Sequence, residues 1–300
     1  MNASSSHALA QATPASLEEF IHRTHGQHRF LVLDCYEGNF FEPALDHFQV
    51  EESKRFRMPV HTVEGGENDP LLAHLDNAHA EPLMQAAVQE AVKSATDSAL
   101  GPRNVAALIS STWKPEHVAK NFAKAARIRR DARDRKSVAF RFFDPRVTHT
   151  LLRLFDPPQI PLLLGPIAYW GYVDFRGQFR LVENTSPRSS SSAVIHKEQL
   201  NALRRNATVQ TALHRLQKLR ADWPEDLDAV LDRQIQHAPK ELHDADIINR
   251  EADLATYAAL CWLCDTGRAD KQILNQMMAK RHDIGMPLKG ILGPLLPEFF

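Results

Sequence analysis

Three groupings of residues have the types and spacing that chemistry would need. Cys261-Trp262-Leu263-Cys264 is a CxxC pair. A redox pair of this kind works at a helix N-terminus, where the helix dipole favours the thiolate. Here it falls near the end of an apolar helical stretch, where the dipole opposes one. No second CxxC or CxxH lies near in sequence to complete a four-ligand zinc site. Two buried cysteines packing as small hydrophobes is the plainer account. His243, Asp244 and Asp246 form an HDxD cluster, a fragment of what a metal-dependent hydrolase would use together with further carboxylates. Asp34 and Asp144 close apolar runs and are the carboxylates available for that role, although capping a following turn or helix suits them better. The alternative function is therefore a metal-dependent hydrolase using Asp34, Asp144 and the His243/Asp244/Asp246 cluster. The chain has no GxSxG, no HExxH and no phosphate-cradling glycine loop.

Charge is distributed unevenly. The 300 residues carry 36 Lys+Arg and 37 Asp+Glu, a net charge of −1, which excludes a globally basic nucleic-acid coat. Yet Lys114 to Arg146 holds eleven basic residues against four acidic ones, and Asp222 to Asp253 holds ten acidic against three basic. Such runs are usually solvated faces, and they also steer oppositely charged partners. Phe122 is the only aromatic within the basic helical stretch, too little interleaving for nucleic-acid stacking, so no nucleic acid is expected as a partner.

The elements that must position these groups follow from periodicity. Residues 1–15 are small and polar and read as a disordered tail. Ser16 with Glu19 is a helix N-cap pattern. Arg29 to Cys35 reads as a buried strand, residues 59–63 as a second, Val105 to Ser110 as a third and Val138 to Phe143 as a fourth. Helices are expected over residues 81–98, over Lys114 to Arg133 with Pro115 in the first turn, and over Thr148 to Phe155. Residues 168–184 alternate around Arg176-Gly177 as a β-hairpin. Interleaved strands and helices predict an α/β N-terminal lobe with a mixed sheet over 16–185. A Ser-rich linker at 186–192 follows, then an all-α lobe over 193–300 whose tail from Met286 to Phe300 is apolar and broken by Gly and Pro. Three cysteines fit a reducing compartment. No basic-then-apolar leader and no uninterrupted apolar span is present. A cytoplasmic protein that does not contact the membrane is expected.

One segment is more specific than composition. It runs Phe140-Arg141-Phe142-Phe143-Asp144-Pro145-Arg146-Val147, then Leu151-Leu152, Gln159, Leu164-Gly165-Pro166-Ile167 and Trp170. This resembles the "RFYDPRVL…LL…Q…FFGPI…W" signature of the type VI secretion effector chaperone/adaptor family, the Tap-like adaptors, formerly described as a domain of unknown function. Phe30 to Asp34 is similar to the family's opening strand. Val105 to Ser111, with Trp113 to Arg130, is similar to a later strand and helix. The resemblance covers residues 28–175. Phe143 stands where the family has Tyr, Leu164 where it has an aromatic, and Met58-Pro59-Val60 is the counterpart of its "P-Y-L". The resemblance implies a protein that binds a cognate toxic effector and loads it on the VgrG spike, acting before secretion. It implies no catalytic residue, metal or cofactor.

Read physically, the signature is structural: Phe140, Arg141, Phe143, Asp144, Pro145, Arg146, Gly165, Pro166 and Trp170 build a strand, a capped helix and a chain reversal. The partner surface is expected on the hairpin aromatics Tyr172 and Phe175, with Lys120, Lys124 and Arg127 steering an acidic partner toward them.

Overall fold

The computed structural model describes residues 13–36, 38–60, 66–76, 78–129, 137–188, 195–243, 247–284 and 287–288. The chain divides into two compact units, Met1–Asp97 with Gly101–Gln199, and Ser98–Leu100 with Leu200–Phe300. The first is a mixed α/β region and the second is helical.

In chain order the first unit contains β1 (Thr13–Pro14), α1 (Leu17–Arg23), β2 (His28–Leu33), α2 (Pro43–His47), β3 (Arg55–Arg57), β4 (Leu71–Leu75), α3 (Ala80–Asp97) and β5 (Val105–Ser111). It continues with α4 (Pro115–Ala125), β6 (Arg127–Arg129), β7 (Ser137–Ala139), α5 (Pro145–Leu154), α6 (Gln159–Leu164), β8 (Tyr169–Val173) and β9 (Phe179–Glu183). Seven strands form one sheet in the order β1-β9-β8-β5-β2-β4-β3, and β6 pairs with β7 as a separate ribbon. The sheet expected to be mixed is antiparallel in each of its pairings. The reason is topological. Helix α3 crosses from β4 to β5, but β2 lies between those two strands and pairs antiparallel with both.

β2 is buried on both faces, so its sequence is a continuous apolar run rather than an alternation. On one face Leu31 and Leu33 join Leu83, Met84, Ala87 and Ala91 of α3 and Phe20 of α1 in one apolar cluster. The α3 residues recur at helical spacing, which is why this face of the helix turns inward. Ser16 caps α1 as its sequence predicts, its Oγ accepting from Glu19 N at 3.0 Å.

Four expectations change. Thr13–Pro14, placed in the terminal tail by composition, pair with β9. The helix expected to reach Arg133 ends at Ala125, because Arg127–Arg129 turn into the β6–β7 ribbon; residues 130–136 lie outside the described residues. The strand expected through Phe143 stops at Ala139, where tight turns (Phe142 N to Phe140 O, 2.8 Å; Asp144 N to Arg141 O, 3.0 Å) replace the alternation. The strand expected at 59–63 lies partly outside the described residues; the strands nearby are β3 and β4.

In the second unit, α7 (Lys197–Arg215, whose first turn belongs to the first unit) is followed by α8 (Leu227–Gln236), α9 (Lys240–His243), α10 (Ile247–Asp265) and α11 (Lys271–Ile284). Helix α10 touches α8, α9 and α11. Ala255, Ala258 and Ala259 are fully buried on it, and such small side chains let neighbouring helices come close. Cys261 and Cys264 are free thiols buried on α10, and burial pushes the Cys261 thiol up to about 11. Arg205 reaches Asp232 with two hydrogen bonds, 2.7 and 3.2 Å. Among the described residues no helix is long and apolar enough to cross a membrane. The Ser-rich linker beyond residue 188 and the apolar tail, apart from 287–288, lie outside the described residues.

Candidate functional site

The signature segment is where sequence and geometry converge. Asp144 ends the loop after β7 and caps α5, with Pro145 at the first helical position. Its Oδ1 accepts from Arg146 N at 3.0 Å and Arg146 Nε at 2.9 Å, and its Oδ2 accepts from Arg146 Nη2 at 2.7 Å. Arg141 donates to Asp34 Oδ2 and stands 3.6 Å from Asp144. Arg141 also lies over the ring of Tyr36, 4.9 Å from its centroid. Two carboxylates and two guanidinium groups thus alternate from the end of β2 to the start of α5.

The two acids respond in opposite directions. Burial works to raise both. At Asp144 the hydrogen bonds and charge of Arg146, with the charge of Arg141, outweigh burial and hold the carboxyl below its ordinary value. At Asp34 burial wins over Arg141 and the Tyr36 backbone N–H, with the Asp144 charge adding to it, so the carboxyl is raised. Both carboxylates are therefore engaged by arginine. His243 lies on α9 in the second unit, and Asp244 and Asp246 lie outside the described residues. Among the described residues no group of three or more His, Cys, Asp or Glu is placed to hold a metal.

The aromatic part of the signature is core. Phe142, Phe143 and Trp170 surround Phe122 of α4, at centroid distances of 4.9, 5.6 and 6.0 Å. Phe140 is half-buried at the edge of this group, 6.4 Å from Phe142. The chain reversal is fixed carbonyl by carbonyl. Gly165 adopts φ 59°, a conformation that favours glycine. Its carbonyl accepts from Asn184 Nδ2 (3.1 Å) and Arg188 N (2.8 Å). The Pro166 carbonyl accepts from Ser111 Oγ (2.7 Å), and the Ile167 carbonyl from Asn184 Nδ2 (2.8 Å). Gln159 and Gln199 exchange buried amide hydrogen bonds.

The structure corrects the expected partner surface. Tyr172 and Phe175 are 2% and 6% exposed, so they offer a partner almost nothing to touch. Tyr172 is tied to His149 of α5 at 3.0 Å, and the Phe175 ring packs against the same histidine. The hairpin is also not an edge, since β8 lies beside β5 and β9 is covered by β1. Its turn is built on Asp174, which accepts from Arg176 N and Gln178 N and pairs with buried Arg180 at 2.8 Å.

Lys120, Lys124 and Arg127 are exposed, as expected. Lys120 and Lys124 line a shallow groove with Trp113, His117 and Asn121. Sequence reasoning did not single out Trp113, which precedes the helix and so fell outside its periodicity. It also missed the loop after β2, which presents Tyr36 and Phe40, the latter 85% exposed. Asn39 locks that loop by donating to the carbonyls of Asp34 and Asn104, both at 2.8 Å, and accepting from Phe41 N and Glu42 N. The local signal was the Gly38-Asn39 pair, a turn dipeptide in reverse order.

Comparison with known proteins gives one match. A family model described as "Domain of unknown function (DUF4123)" matches residues 63–161, the stretch containing β4, α3, β5, α4, α5 and the Arg141–Asp144–Arg146 triad. Neither the curated proteins nor the solved structures gave a match. The chain carries a DUF4123 domain over residues 63–161.

Proposed function

We propose that this protein is a type VI secretion adaptor that binds a cognate toxic effector and loads it on the VgrG spike, working in the cytoplasm by binding and release rather than by covalent chemistry. The observation that carries this reading is how the signature residues are spent. Asp144 and Arg146 set the start of α5, Phe142, Phe143 and Trp170 fill the core, and Gly165-Pro166-Ile167 is held by Ser111 and Asn184. Each performs architecture, as a scaffold for partner surfaces requires. The DUF4123 match lies within the stretch 28–175 that resembles the adaptor family, and this adds support.

The test is co-purification. The tagged protein, expressed with a cognate effector and a VgrG tip from the same genome, is expected to retain both through size-exclusion chromatography. Retention of neither by the folded protein overturns the reading.

A further inference from the structure

We propose that the exposed face of α4, from Trp113 to Lys124, is a groove for a short acidic segment of a protein partner, with an apolar side chain of that segment seated on the Trp113 indole. The inference deepens the adaptor reading and rests on it for the partner's identity.

Several cations without a carboxylate partner among the described residues gather on this one face. Elsewhere in the first unit Arg23, Lys54, Arg55, Arg57, Arg141, Arg146 and Arg180 each face a carboxylate within 4 Å. Lys114, Lys120 and Lys124 face none among the described residues. The helix explains the common direction of Lys120 and Lys124. Val118, Phe122 and Ala125 are buried, which turns His117, Lys120, Asn121 and Lys124 outward on the opposite side. Exposed Arg127 continues the positive stripe past the helix end.

Trp113 supplies the apolar contact. It is half-buried and packs edge-on against His117, with centroids 6.3 Å apart. An indole beside unpaired ammonium groups suits a ligand that is acidic and carries one apolar anchor. Length sets the size of that ligand. Eleven helical residues at about 1.5 Å each give about 16 Å. An extended segment of about five residues spans that distance. The observations favour a peptide over nucleic acid, because one indole and two lysines in the groove give neither a stacking series nor a phosphate track.

The fold provides a selective reporter. Trp170, Trp223 and Trp262 are buried, at 1%, 2% and 4% exposure, whereas Trp113 is partly open. The probe is an acetylated, amidated pentapeptide of four glutamates around a central leucine. The expected result is a saturable change in tryptophan emission that weakens as salt rises. Binding should be at least about tenfold weaker in K120E/K124E. Calorimetry with W113F should show weaker binding without the emission change. Circular dichroism of K120E/K124E should match the parent, since both lysines are exposed.

In the peptide titration, three results overturn the inference: no saturable change at about 1 mM peptide, equal binding by K120E/K124E, or a random DNA oligonucleotide that binds the same face more tightly than the peptide. A parallel measurement with the cognate effector and VgrG tip separates this inference from the adaptor reading. If either partner binds parent and K120E/K124E with equal rates and neither discriminates, the groove is wrong and the adaptor stands. If neither binds the parent, the adaptor reading fails and the peptide titration still decides the groove.

Discussion

The signature cluster and the α4 face hold similar charges in opposite conditions. Arg141 and Arg146 are enclosed by Asp34 and Asp144, and their planar guanidinium groups place several hydrogen bonds on buried carboxylates. Lys114, Lys120 and Lys124 extend into water without a carboxylate among the described residues. A cation that must organise a loop is an arginine in a fixed geometry. A cation that must attract without fixing is a lysine on a flexible stem. The contrast teaches that the basic run from Lys114 to Arg146 is not one feature, because its C-terminal end builds the fold and its helical part is left for something else.

The sharpest way to break the contrast is Asp144→Asn. Asparagine still caps α5, so the substitution isolates the charge. Removing one partner of a buried ion pair costs about 3–5 kcal/mol, and that loss is expected at neutral pH by urea denaturation. Because the Asp144 carboxyl is held below its ordinary value of 3.8, the stability it supplies is full above that pH and disappears as pH falls through the lowered value. The gap between parent and variant should close accordingly in acid.

Asp34→Asn should cost less, since burial already disfavours the Asp34 carboxylate. The raised carboxyl gives the opposite slope. Its contribution is fully present below 3.8 and is lost as pH rises through the raised value. Denaturation series on both sides of pH 3.8 should therefore show the Asp144 gap closing as pH falls below that value and the Asp34 gap closing as pH rises above it. Parallel slopes would contradict the electrostatic account of the cluster. The smallest effect belongs to the α4 face: Lys120→Ala with Lys124→Ala should change stability by no more than about 0.5 kcal/mol in the same assay.

The sequence made visible the elements whose signal is local. Ser16 with Glu19, Pro115, Asp144-Pro145 and the hairpin around Gly177 all act within a few residues, and all sit where their chemistry predicts. β4 was missed because Leu71–Leu75 is buried on both faces, so no alternation marks it, and Leu and Ala are weak strand formers. The overlong helix had the reverse cause. Ala-Ala-Arg-Ile-Arg-Arg has high helix propensity, and the non-local pairing of Arg127–Arg129 with Ser137–Ala139 overrides it. Tyr172 and Phe175 were misplaced because sequence spacing shows a hairpin but not its neighbours. Only the strand order reveals that β5 and β1 flank it. Asp34 and Arg141, 107 residues apart, could be recognised as strand-end groups but not as partners.

The two ends of the sheet carry a consequence for assembly. At one end β1, over the described residues Thr13–Pro14, finishes in Pro14, which has no N–H to offer. At the other, β3 is three residues of the pattern Arg-Phe-Arg, whose arginines are held by Asp46 and Glu42. Short, proline-bearing or charged margins are what keep sheets from growing by adding a foreign strand. Both margins resist zipper-like polymerisation between copies, and a foreign strand gains little by lying alongside either one. Under the adaptor reading proposed above, recognition of a client would then fall to side chains rather than backbone.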